Sequence, residues 1–70
     1  MANVTWDMIS KYVEAAFNAY GEIERSDVLL LAENDYASDD IIDALDAIGS
    51  RVFKAQADVK TFLTGQGYIS

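Results

Sequence analysis

A chain of 70 residues with neither cysteine nor histidine, and with 12 acidic against 5 basic side chains, carries a formal charge of −7 at neutral pH. That length permits one domain burying about 60% of its unfolded surface, with no disulfide and no common zinc ligand to staple it. The 51% apolar content is that of a folding chain, while the longest apolar run, residues 28–32, falls far short of the roughly 20 residues of a membrane span.

The first element is a helix over residues 5–20. In TWDMISKYVEAAFNAYG, Ile9, Val13, Ala16, Phe17 and Tyr20 share one helical face, with Trp6 a turn earlier. Thr5 suits the N-cap, Asp7 the positive end of the dipole, and Gly21 a left-handed stop. Asp7 and Lys11 form a favourable i,i+4 pair.

SDVLLLAEND follows. Its apolar run also fits a buried strand, but three leucines and an alanine favour a helix over residues 26–34, capped by Ser26, opened by Asp27 and ended at Asn34 and Asp35. A lone strand here needs a pairing partner that the rest of the chain scarcely offers.

SDDIIDALDAIG predicts a third helix over residues 38–48. Ser38 caps it, and Asp39 and Asp40 occupy the first turn. Ile41, Ile42, Leu45 and Ile48 form the inward stripe. Asp39, Asp43 and Asp46 recur at i, i+4 and i+7 on the opposite side, with Asp40 beside them and Gly49 as the stop. SRVFKA reads as an extended connector that pins Val52 or Phe53 into the core. A last helix over residues 56–64 buries Val59, Phe62 and Leu63 and stops at Gly65 or Gly67, before the tail YIS. With no proline, repeat or low-complexity segment, residues 1–70 read as a single all-α domain. The expected architecture is a compact bundle of four short helices with a helical hairpin in its middle.

SDDIIDALDAIGSRVFKAQADVKTFL, residues 38–63, resembles a family of small bacterial helical proteins known only as a domain of unknown function. Ala44, Leu45, Ile48, Arg51, Phe53, Ala57, Asp58 and Val59 fall on positions of that family's pattern, whose two prolines are absent here, with Gly49 and Gln56 near their places. The resemblance covers little more than a third of the chain, implies a small helical bundle and brings no activity.

The acidity is concentrated. Residues 22–46 hold nine carboxylates against Arg25 alone, and the remainder is nearly balanced. A helix-turn-helix reading of residues 26–49 would set Asp39, Asp40, Asp43 and Asp46 against DNA, and no basic cluster supplies phosphate attraction, so direct nucleic-acid binding is not expected. Residues 35–46 span the twelve positions of a calcium loop but place Ala37, Asp40 and Asp46 where an oxygen ligand, Gly and Glu belong. The order Ser26, Asp27 reverses the Asp-Ser-Leu of acyl carrier proteins. Without His or Cys the usual nucleophile and base pairs are missing. No enzyme activity, cofactor or metal is therefore expected. The first residues lack the basic start and apolar stretch of a signal peptide, and a cytoplasmic location is expected.

Two interaction readings remain. In one, the face of Trp6, Ile9, Tyr12, Val13, Phe17 and Tyr20 exceeds what the core absorbs, so that Trp6, Tyr12 and Tyr20 pair two copies or dock a larger protein. The competing account packs all six internally. In the other, Asp39, Asp40, Asp43 and Asp46 bind a basic protein partner, against a simple role in solubility. A regulator of helix-turn-helix type, or a nucleic-acid mimic that inhibits a nucleic-acid-binding protein, is the runner-up.

Overall fold

The apolar stripe of the first segment closes on the rest of the chain as the helical period requires. In the computed structural model, which describes residues 3–70, α1 spans Trp6–Tyr20 and buries Ile9, Tyr12, Val13 and Ala16. Trp6 and Phe17 are half-buried and packed against that core. Thr5 is the extended N-cap residue, and its N–H donates to the Met8 sulfur at 3.4 Å, a thioether in the place where a capping box carries Glu or Gln. Gly21, at φ +74°, ends the helix and donates to the Phe17 carbonyl at 2.8 Å.

The chain then departs from the purely helical expectation. β1 (Ile23–Glu24) pairs antiparallel with β2 (Val52–Phe53), Ile23 opposite Phe53 and Glu24 opposite Val52. The architecture is thus mostly helical, with the four expected helices and, beyond that expectation, a two-stranded ladder. The connector at residues 50–55 and the link after Gly21 were too short to show a strand period, and their pairing is a long-range event. Ile23 is fully buried, Phe53 half-buried against the core, and Val52 exposed, so Phe53 is the connector residue that is pinned.

α2 (Arg25–Asn34) starts directly from β1, with Glu24 as its extended N-cap residue. Ser26, expected as the cap, lies inside the first turn because the strand ends at Glu24 and sets the cap two residues earlier. Val28 and Ala32 are buried, Leu29 and Leu31 are half-buried, and Leu30 points outward. The segment that fitted either helix or strand is therefore helical. It ends in a Schellman turn: Tyr36 donates to Glu33 O at 3.1 Å and Ala37 to Ala32 O at 3.0 Å.

In α3 (Asp39–Asp46), the Ser38 hydroxyl accepts from the Ile41 N–H at 3.4 Å, and Asp39 and Asp40 fill the first turn. Ala44, Leu45 and Ile48 are buried, with Ile41 and Ile42 half-buried beside them. Residues 47 and 48 belong to the following turn, which Gly49 completes at φ +65°. α4 (Gln56–Gly65) buries Val59 and Leu63 and closes in a second Schellman turn through Gly67 and Tyr68. Ile69 then returns to the core and Ser70 donates to Val4 O at 2.9 Å, fastening the two ends of the domain. α1 packs against each of the other three helices and β1, which makes it the centre of the core.

Candidate functional site

The three aromatic residues expected on one contact face have three different surroundings. Tyr12 is buried, and its hydroxyl donates to Asp35 Oδ2 at 2.7 Å. Lys11 Nζ lies 2.9 Å from the same oxygen and 5.1 Å from the Tyr12 ring centroid. This cluster latches α1 to the C-terminal end of α2. The Tyr12 hydroxyl, followed by Lys11, holds the Asp35 carboxyl below its ordinary value. The bond to Asp35 raises both Tyr12 and Lys11, with burial adding to the effect on Tyr12. Trp6 is half-buried on the core, and only Tyr20, 60% exposed, reaches solvent freely. Of the six residues on that face, five are used internally.

The acidic residues divide differently. Asp39, Asp40, Asp43 and Asp46 are all exposed on α3. Asp46 Oδ1 is 2.9 Å from Arg25 Nη1, a bridge from the start of α2 to the end of α3. Asp40 and Asp43 instead line an open cleft of about 280 Å³ together with Asn3, Val4, Ala44, Gly67 and Tyr68. Among the described residues, Asp39, Asp40 and Asp43 have no cation partner, and three of the five basic side chains pair with other carboxylates. Lys11 holds Asp35, Arg25 holds Asp46, and Lys54 holds Glu22 at 2.6 Å. Arg51 stacks its guanidinium 4.4 Å from the Phe62 ring centroid.

Two aspartates and a half-exposed tyrosine lining one opening are suited to a cationic side chain. Carboxylates accept charge-assisted bonds from guanidinium or ammonium, and an aromatic face attracts the same cations. Nothing in the sequence joined Tyr68 or Asn3 to α3. They arrive there through the return of Ile69 to the core and the Ser70–Val4 bond, neither of which leaves a periodic trace. A smaller cleft of about 130 Å³ lies between Glu24, Arg25, Ser26, Gly49, Ser50 and Arg51. Among the described residues, no three Asp or Glu side chains converge as a metal site, no buried side-chain polar atom lacks a partner, and no helix is long and apolar enough to cross a membrane. No protein-family model, curated protein or solved structure matches the chain.

Proposed function

We propose that this protein is a small cytoplasmic interaction module without catalytic activity of its own, whose α3 surface receives basic side chains from a partner protein. The observation that carries this reading is the cleft that Asp40 and Asp43, both without a cation of their own among the described residues, line together with Tyr68. The rival aromatic reading, which includes a homodimer, has less surface to draw on: Tyr12 is buried, and Trp6 packs inward. Rigid helical carboxylates at the mouth of a cleft favour Arg, whose fork donates to two oxygens at once, over the point charge of Lys.

Affinity capture from a lysate of the native cell, at low and at high salt, tests the reading when three proteins are compared: wild type, Asp40→Asn/Asp43→Asn and Asp46→Asn. A basic protein retained by wild type and by Asp46→Asn at low salt, released at high salt and missed by the double variant is the expected result. Equal capture by all three at both salts would return the acidic face to a role in solubility.

A further inference from the structure

The chain has four described residues in the left-handed backbone region. Three are Gly21, Gly49 and Gly67, and the fourth is Tyr36, at φ +56°. An L-residue in that conformation carries a steric penalty that glycine avoids, and a bulky one is an outlier. Tyr36 fills the position of the Schellman turn that Gly67 fills after α4, and the backbone bonds of the two turns are the same. Its side chain brings no return to the fold. It is 95% exposed and makes no hydrogen bond, ion pair or ring contact with any described residue. A conformational cost retained without an internal contact points outward.

The surroundings of Tyr36 decide what it meets. Glu33 precedes it by three residues, and Asp39 and Asp40 follow by three and four, all exposed and without a cation partner among the described residues. Asp35, next to it, is already held by Lys11. Asp39 lies no further than about 11 Å of Cα path from Tyr36, so Tyr36 and the first acidic residues of α3 belong to the same exposed corner. A second copy of this chain, at −7, would bring like charges onto that ring, and anionic lipid or nucleic acid would do the same. A pocket with an apolar floor and a Lys or Arg rim complements both features. Tyrosine suits this role because it brings a large contact area with only two rotatable side-chain bonds.

We infer that Tyr36 is the anchor through which the acidic α2–α3 corner docks into a basic-rimmed apolar pocket on a partner protein. This rests on the proposed binding of a basic partner and adds the residue that gives it grip and the kind of pocket that receives it. The test places a photo-reactive phenylalanine analogue at position 36, with position 20 as the exposed control, in the native cell. The cross-linked protein is then purified and titrated with wild type, Tyr36→Gly, Tyr36→Phe and Asp40→Asn/Asp43→Asn. Expected are a cross-link to one basic protein from position 36 and not from 20, and at least roughly tenfold weaker binding by Tyr36→Gly. Tyr36→Phe should retain most of the affinity. Meanwhile the Tm of Tyr36→Gly rises by about 2–8 °C, which separates lost contact from lost fold. Cross-linking to a second copy, cross-linking no stronger than from position 20, or wild-type affinity in Tyr36→Gly overturns the anchor. If Tyr36→Gly binds as wild type while Asp40→Asn/Asp43→Asn loses salt-sensitive binding, the anchor falls and the acidic reading stands.

Discussion

Tyr12 puts its ring in the core and its hydroxyl on Asp35, so one side chain joins burial to surface charge. Phe at position 12 keeps the ring and removes the bond. Because Asp35 retains Lys11 and solvent, Tyr12→Phe is expected to cost only about 0.5 kcal/mol, at the low end for a hydrogen bond, measured by urea denaturation at neutral pH. The cluster also shapes the dependence on pH. Asp35 has an ordinary value of 3.8 that folding lowers, so its contribution is present above pH 3.8 and is lost as acid carries the pH down through the folded value. Tyr12 and Lys11, ordinarily 10.0 and 10.5, are raised by folding. Their contribution is complete below those values and disappears as the pH climbs through the folded ones. Thermal unfolding of wild type and Asp35→Asn should accordingly differ most between about pH 5 and 9 and converge at both extremes; a constant gap across that range would remove Asp35 from the account. Tyr36 is the opposite case, a residue that opposes the local backbone. Tyr36→Gly relieves the left-handed penalty but gives the unfolded chain more freedom, for a net stabilisation of about 0.5–1 kcal/mol by chemical denaturation.

At the level of elements, the ladder of β1 and β2 is too short to hold itself, and its surroundings hold it. Ile23 is fully buried beneath it, the Phe53 and Phe62 ring centroids are 5.7 Å apart at 43°, and the Lys54–Glu22 ion pair links the residues flanking the two strands. Arg51 covers the other aromatic partner, Phe62. Phe53→Ala would open this corner and is expected to cost about 2 kcal/mol, below the range for a fully buried Phe because the ring is half-exposed. Loss in the same variant of the slowest-exchanging amide protons of residues 23 and 53 would show that the ladder depends on the ring pair. The contrast between helices and ladder explains what the sequence could disclose. Ile9, Val13 and Ala16 repeat with the helical period, and Ser38 with Asp39 and Asp40 announces the start of α3, because these signals act over three or four residues. Ile23 and Phe53 are 30 positions apart, and a two-residue strand has no alternation to read. Ser26 has the chemistry of a cap but lies inside the helix for the same reason: the end of a strand, which local propensity does not report, sets the start of α2.

Across the whole molecule, the balance of charge marks the exterior. The aspartates of α3 were legible from their spacing, but the division among them was not. Asp46 turns to Arg25 while Asp40 and Asp43 turn to a cleft built with residues from both chain ends, and only tertiary packing makes that choice. Ion pairs engage three of the 12 acidic side chains among the described residues, so repulsion among the remainder outweighs the attraction of exposed pairs, each worth about 0–1 kcal/mol. Ionic strength reads this balance directly. The molecule measures 31 × 25 × 20 Å; at 10 mM salt the screening length of about 30 Å spans it, and at 100 mM about 10 Å confines the repulsion to neighbours. The Tm is therefore expected to rise between 10 and roughly 100 mM sodium chloride, as long-range repulsion is screened before the contacts near 3 Å are weakened. Asp43 lies within one helical turn of Asp39, Asp40 and Asp46, where like charges destabilise each other. Asp43→Asn, which leaves the first-turn carboxylates Asp39 and Asp40 in place, should start from a higher Tm at low salt and rise less, and the two proteins should approach each other as salt increases. A Tm that falls over the same interval would mean that the Lys11, Arg25 and Lys54 pairs govern the electrostatics. The unpaired carboxylates would then have to be spaced widely enough to cost the fold nothing, and their concentration beside the cleft would no longer oppose stability.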